Sequence, residues 1–347
     1  MRALSYPRPR GPLTVSDVPA PTAPAGGAVV RVEATGLCRS DWHGWMGHDA
    51  DIDSFPHIPG HEFAGTVVDV GSGVDPSWIG RAVTAPFVFA CGSCPVCAHG
   101  DGQVCPRQEQ LGFSLPGSFA EFVTVVAAET NLVALPANLS PRVAAALGCR
   151  VATAHRGLVS RARIQVGEWA AVVGCGGVGL SAIAIAVSRG ARVVAIDPSE
   201  RALDLARALG AEVIVSSGPD AVDQVVEATG GGAHVAIDAF GSAATCHESV
   251  LMLRRRGRQV QVGLLGQAGA EVPMSRVIAW ELDLLGSHGM AAADYEQLLT
   301  DVATGRLDLG SLLSDEEPLT LSQAADALPA MNGPATTAGI RVIDPRR

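Results

Sequence analysis

Two short runs near the N-terminus, Cys38-Arg39-Ser40-Asp41-Trp42-His43 and Gly60-His61-Glu62, carry a thiol, imidazoles, carboxylates, a hydroxyl and a guanidinium. Thiolate and imidazole are zinc ligands, and nearby carboxylates and hydroxyls can orient a ligand or carry a proton. The mixture suits a metal that is held by few side chains, left partly open and coupled to proton transfer. A second set, Cys91, Cys94, Cys97 and Cys105, brings four thiols close enough to close a tetrahedral cage on zinc with no open position. An iron–sulfur cluster is the rival there, because a three-cysteine start and a Cys-Pro end are ferredoxin features. The gap from Cys97 to Cys105 is too long for that pattern, and no second cluster motif follows. Cys149, taken alone, reads equally as a packed core thiol or a ligand.

A third set is Gly174-Cys175-Gly176-Gly177-Val178-Gly179. A lone glycine-rich turn means little. This one follows the apolar strand Ala170 to Val173, opens an apolar helix from Leu180 to Ser188, and precedes a strand, Arg192 to Ile196, that ends at Asp197. That is the context of a dinucleotide site: glycines let the backbone approach a pyrophosphate, and the helix N-terminus supplies positive potential. Asp197 can accept hydrogen bonds from both adenosine ribose hydroxyls and would repel a 2′-phosphate, which favours NAD over NADP.

The elements that must position these groups fall into two kinds. Val29 to Glu33, Gly65 to Val70 and Ala120 to Val126 are valine-rich, partly alternating runs punctuated by Gly and Pro, as in a half-open barrel or sandwich. Ser140-Pro141 marks a helix start leading to Gly148-Cys149. From Trp169 the period changes to alternating strands and helices: helix Ser199 to Leu209, then strands Glu212 to Val215, Val235 to Asp238 and Gln259 to Gly263. This is the pattern of a doubly wound parallel sheet. The cluster Arg254-Arg255-Arg256-Gly257-Arg258 reads as a charged helix end and turn. Beyond Gly286 the rhythm is lost, and the chain is expected to return to the first half. The expected domains are 1–150 with 287–347, and 151–286.

The chain has 347 residues, 48% of them hydrophobic, and a formal net charge of −10. Its length fits two domains, and the charge disfavours nucleic-acid and anionic membrane partners. The charge-free stretch from Trp169 to Ser188 is broken by its glycines and reads as strand and helix, not as a membrane span. The N-terminus shows no apolar run of signal-peptide length, so a cytoplasmic protein is expected. The eight cysteines then read as metal ligands and free thiols, not as a disulfide framework.

Gly60-His61-Glu62, with Gly65, Gly71 and Val74 at their spacings, resembles the zinc signature of the alcohol dehydrogenases in the medium-chain dehydrogenase/reductase family. Cys38, the four-cysteine lobe, Cys149 and the Gly174–Gly179 turn fall in the family order, so the resemblance covers essentially the whole chain. It implies a GroES-like catalytic domain, a Rossmann coenzyme domain and a cleft between them. It further implies a catalytic zinc on Cys38, His61 and Cys149, with Glu62 an occasional ligand, and a structural zinc on Cys91, Cys94, Cys97 and Cys105. On the same ground Asp41 orients His61, and Ser40 and His43 relay the alcohol proton through the nicotinamide ribose to solvent. Arg39 meets the cofactor pyrophosphate, and the subunits form a homodimer or homotetramer through the coenzyme sheets. The implied reaction is reversible hydride transfer between a primary or secondary alcohol and NAD.

Other readings are a polyol or amino-alcohol dehydrogenase and a non-catalytic zinc- and dinucleotide-binding redox sensor. A zinc-independent quinone reductase would need neither Cys38 nor the cysteine lobe. Trp45 and Phe87 read as pocket walls or core. His48, His99, His155, His234, His247 and His288 read as surface or packing residues. Gly80-Arg81-Ala82-Val83 departs from the frequent Gly-Asp-Arg-Val of the family without touching a ligand.

Overall fold

The computed structural model describes residues 1–266, 269–333 and 337–347. The strand Ala28–Gly36 organises the first half. Val30 and Val32 point inward with Phe63, Val67, Val83 and Val123, while Arg31 between them faces out. Alternation of this kind buries one face of an antiparallel sheet, and each valine so buried contributes roughly 1.5–3 kcal/mol. Phe63–Val70 pairs along one edge of this strand. Phe122–Val125 pairs with its first half on the other edge, and Val342–Ile343 with its last two residues. Ala82–Thr84 and Val133–Ala134 extend the sheet. The last strand of the chain therefore completes the sheet begun by the first long one.

The second half is a six-stranded parallel sheet in the order Val213–Ser216, Arg192–Asp197, Trp169–Val173, Ala233–Asp238, Leu253–Gln261, Asp283–Gly286. Every residue of Trp169–Val173 is buried, as expected of a central parallel strand covered on both faces. The chain order reverses on either side of this strand, so its C-terminal end lies at the crevice where dinucleotide folds take their ligand. The helix Gly177–Ser188 follows at once, and Ser199 caps the helix Glu200–Ala208 through the amide of Ala202. The two halves meet through a shared core that includes Ala64, Leu147, Val151, Leu158, Leu180 and Ile183.

The arginine cluster is not a helix end. The helix Ala243–Leu251 stops first, and Arg254, Arg255, Arg256 and Arg258 lie within the strand Leu253–Gln261. Arg256 sits at φ 61°, beside an irregularity in the pairing with Ala233–Asp238. Their charges are met laterally: Arg258 pairs with Glu168, Arg256 with Glu281, Arg254 reaches His234, and Arg255 covers the Trp280 ring. Pairing to the neighbouring strand outweighs the helix-dipole preference that the sequence suggested. Among the described residues, no helix is long and apolar enough to cross a membrane.

Candidate active site

Cys38 stands at the start of the helix Arg39–Met46, immediately after the strand Ala28–Gly36. The Asp41 carboxylate, one turn in, ties the site together. Its Oδ2 accepts from the Cys38 amide at 3.0 Å, and its Oδ1 accepts from the Gly60 amide at 3.1 Å and lies 2.8 Å from His61 Nδ1. Asp41 and His61 are both buried. This contact fixes the His61 ring with Nδ1 as donor and directs Nε2 inward, where it has no hydrogen-bond partner among the described residues. Cys149 comes from the segment that precedes the parallel sheet, at the bend between the turn Ala145–Gly148 and the helix Arg150–His155. Ligand atoms of Cys38, His61 and Cys149 all lie within 4.8 Å of one another.

The electrostatics of this triad suit a cation. The neighbouring Cys149 and His61 draw Cys38 well below the usual thiol range, against the effect of burial. Cys149 is pushed up, first by its contact with Cys38 and then by burial. Burial opposes charge on His61, yet the Asp41 carboxylate holds it above the ordinary histidine range. An orphaned buried imidazole nitrogen between two thiol sulfurs is the donor set zinc takes when one position is left open.

Glu62, next to His61, turns away to Arg150. Its Oε1 accepts from the Arg150 amide at 2.6 Å, and its Oε2 accepts from Nε at 2.8 Å and from Nη2. Burial raises the Glu62 carboxyl, and the guanidinium works against that rise. Ser40 Oγ is 3.8 Å from Cys38 Sγ. His43, half-buried, has its Nδ1 3.0 Å from Nδ1 of His48, a residue to which the sequence assigned no partner. Arg39 extends over Trp42 and donates to the Met331 carbonyl at 2.9 Å, so its exposed guanidinium is held at the rim.

Phe87 and Phe113 pack their rings against His61, at 6.0 Å and 5.3 Å, and His288 meets Phe87 at 5.3 Å. Phe113 and His288 were not legible as neighbours of the site, because they arrive from loops far apart in sequence. Trp45 instead donates to the Gly11 carbonyl and packs toward Leu4, Leu37 and Phe119.

In the cysteine lobe no disulfide forms, and the sulfurs stand 3.4–3.9 Å apart: Cys91–Cys97 3.9 Å, Cys94–Cys97 3.4 Å, Cys94–Cys105 3.8 Å and Cys91–Cys105 3.5 Å. A regular tetrahedron with zinc–sulfur bonds of about 2.3 Å has edges of about 3.8 Å, so the lobe has the dimensions of a closed zinc cage. The amides of Cys97 and Arg107 donate to Cys94 and Cys105. Backbone hydrogen bonding first of all draws Cys91 down to about 5, while burial first of all pushes Cys97 up to about 12.

At the coenzyme turn, Gly174 has φ 89°, and a side chain on Gly179 would meet the Gly174 carbonyl at 1.7 Å. Both positions require glycine. Gly176 faces open space, and the helix beginning at Gly177 and Val178 turns its first amides toward it. Asp197 lies at the end of its strand, accepting from the Cys175 amide at 2.7 Å and the Ser199 amide at 2.8 Å. The turn thus leaves open space at Gly176, with the Asp197 carboxylate held beside it by two amides.

Residues 24–137 match the model of the alcohol dehydrogenase GroES-like domain, and residues 177–304 that of the zinc-binding dehydrogenase domain. An alcohol dehydrogenase of Geobacillus stearothermophilus is 33% identical over 88% of this chain and 90% of its own length. A sorbitol dehydrogenase of Halalkalibacterium halodurans is 30% identical over 88% and 89%. A solved NAD-dependent alcohol dehydrogenase superposes with a TM-score of 0.87 at 30% identity, covering 99% of both chains. The protein is an oxidoreductase of mixed α/β architecture, with a GroES-like and a Rossmann part. It belongs to the zinc-type alcohol dehydrogenases of the medium-chain dehydrogenase/reductase family.

Proposed function

We propose that the chain catalyses reversible hydride transfer between a primary or secondary alcohol and NAD at the Cys38–His61–Cys149 centre. The observation that carries this reading is the triad itself, its ligand atoms within 4.8 Å of one another and His61 Nε2 left without a hydrogen bond among the described residues. Cys38, His61 and Cys149 would hold the catalytic zinc, and Cys91, Cys94, Cys97 and Cys105 the structural one. A zinc held by two thiolates and an imidazole supplies Lewis acidity that lowers the pKa of an alcohol hydroxyl.

The remaining work falls to the protein's own groups. Asp41 keeps His61 in its ligating tautomer, and Phe87 and Phe113 exclude water from the ring's flank. Ser40 takes up the hydroxyl proton, and His43 passes it outward. Gly174, Gly176, Gly177, Val178 and Gly179 receive the pyrophosphate with Arg39 at the rim. Asp197, oriented by two amides, keeps lone pairs for the ribose hydroxyls and selects NAD.

The test is NAD reduction across ethanol, propan-2-ol, benzyl alcohol, sorbitol and L-threonine, with zinc measured on the same preparation. Full activity in metal-free protein overturns the reading. The panel also decides for or against a polyol substrate, the second reading, which the sorbitol dehydrogenase relative favours.

A homodimer or homotetramer is part of the same proposal. Among the described residues the edge strand Asp283–Gly286 has no partner on its outer side, and Ile278, Met274 and Leu264 in the flanking segments are exposed by 73%, 51% and 69%. An open parallel edge with exposed apolar side chains is what a second subunit covers. A cytoplasmic location fits the eight free cysteines, since thiolate cages need reduced thiols.

A further inference from the structure

We infer that His48 is the outlet of the proton path, receiving through its Nδ1 the proton that His43 takes from the active site. The inference rests on the relay reading of Ser40 and His43. The two Nδ1 atoms are 3.0 Å apart, and the rings lie 5.3 Å apart, both edge-on to Trp42. His43 is half-buried on the helix Arg39–Met46; His48 lies just past the helix end and is exposed. Gly47, in the left-handed region at φ 79°, turns the chain so that the His48 amide donates to the His43 carbonyl at 3.0 Å and its ring folds back.

A hydrogen bond between two Nδ1 atoms admits one proton. One ring must donate and the other accept, which leaves the two Nε2 atoms as the outer ends of a two-imidazole wire. A proton arriving at His43 Nε2 makes an imidazolium. Its Nδ1–H bond breaks as an N–H bond forms on His48 Nδ1, and His48 then loses its Nε2 proton to water. One proton enters and one leaves, with no electron transfer; before the next turnover both rings, His43 half-buried and His48 exposed, exchange protons with water and return to the starting tautomers. Arg39 and Cys38 face His43 from its own helix and Asp49 from the following turn, with Trp42 between the rings. Burial and the proximity of His48 and Arg39 hold His43 below the ordinary histidine range, so it passes a proton on and does not retain it.

The experiment is single-turnover alcohol oxidation with the fastest alcohol of the panel. Proton release is followed by a pH-indicator dye and NADH by absorbance, in wild type, His48→Gln, His48→Ala and His43→Gln. The expected result is that both His48 variants release the proton about tenfold more slowly than wild type, with rising concentrations of a bulky buffer restoring the rate. Alcohol KM and zinc content stay unchanged. If His43→Gln slows release while the His48 variants match wild type at every buffer concentration, His48 is not the outlet. If His43→Gln also matches wild type, the relay reading itself fails.

Discussion

The Glu62 carboxylate and the Arg150 guanidinium form a buried pair directly behind the proposed metal centre. Arg150 also donates to the Leu37 carbonyl at 3.0 Å, and it follows the proposed ligand Cys149 in the chain as Glu62 follows His61. Gly36 leaves the space for this: a side chain there would meet both Arg150 Nη2 and Glu62 Oε2 at 2.3 Å. On the other side, a side chain on Gly177 would meet Arg150 Cδ at 2.4 Å. The pair therefore joins the two ligand loops to each other and to the first residue of the coenzyme helix.

Breaking one half of such a pair is costly, because the remaining charge cannot reach water. Arg150→Met should destabilise the protein by about 3–5 kcal/mol, and Arg150→Met with Glu62→Gln should recover much of that loss. Thermal and urea unfolding of the two variants check this. Equal stability of the single and double variants would falsify the account of Glu62 as a carboxylate held by Arg150.

Cofactor choice depends on a charge at one strand end. Asp197→Ala should raise activity with NADP relative to NAD by about 1.4–2.7 kcal/mol in transition-state terms, roughly ten- to a hundredfold, by removing repulsion of a 2′-phosphate. The same change removes the acceptors for the Cys175 and Ser199 amides, so some loss of NAD affinity accompanies it. Unchanged NAD/NADP ratios of kcat/KM would remove the basis for the preference.

Local signals made the framework readable. Spacing identified the cysteine lobe, and a strand, a glycine turn, a helix and an acid identified the coenzyme crevice, because each is built from residues adjacent in the chain. The strand ends differ by a few residues, and the arginine cluster went into a strand because lateral partners such as Glu168 and Glu281 are distant in sequence. The site was readable only in part for the same reason. Asp41 and His61 lie twenty residues apart and meet through a loop, whereas Arg150, Phe113 and His288 come from separate segments that no short pattern links. His48 was missed because its role depends on the turn at Gly47 bringing two rings together.

His155 makes stability depend on acidity. It is buried in the helix Arg150–His155, neither ring nitrogen has a hydrogen-bond partner among the described residues, and Arg189 lies nearby with Asp301 beyond. Burial first, then Arg189, lowers it to about 4 from 6.5. The folded state thus prefers the neutral ring, and the unfolded chain binds the proton more readily. Stability is full above about pH 6.5 and falls as pH drops toward 4, by about 3 kcal/mol in all. His155→Leu should flatten that part of the stability curve relative to wild type. Urea midpoints at several pH values decide the matter, and parallel curves for the two proteins would dismiss His155 as the source.

The four-cysteine lobe should behave as a separate folding element that depends on its metal. Its sulfurs already stand at cage distances, and its root is pinned by Asn131, which exchanges two side-chain hydrogen bonds with the Ala90 backbone at 2.9 Å each. Beyond these, the pairing of Val88–Phe89 with Glu109–Gln110 at its base and the Asp101–Arg156 contact, its apolar cluster holds only Ala90, Val96 and the four cysteines. Burial of so small an apolar surface cannot offset the ordering of fifteen or so loop residues at about 1–2 kcal/mol each, so metal–thiolate bonds must supply the difference. Cys97→Ser substitutes a hydroxyl for a thiolate and should lower zinc from about two to about one per chain. The lobe between Cys91 and Cys105 should then be cut early in limited proteolysis while the rest of the chain resists. The zinc that remains should still be lost on a further Cys149→Ser change, which assigns it to the catalytic centre. Retention of both zincs and an unaltered digestion pattern in Cys97→Ser would show that the lobe is held by packing alone.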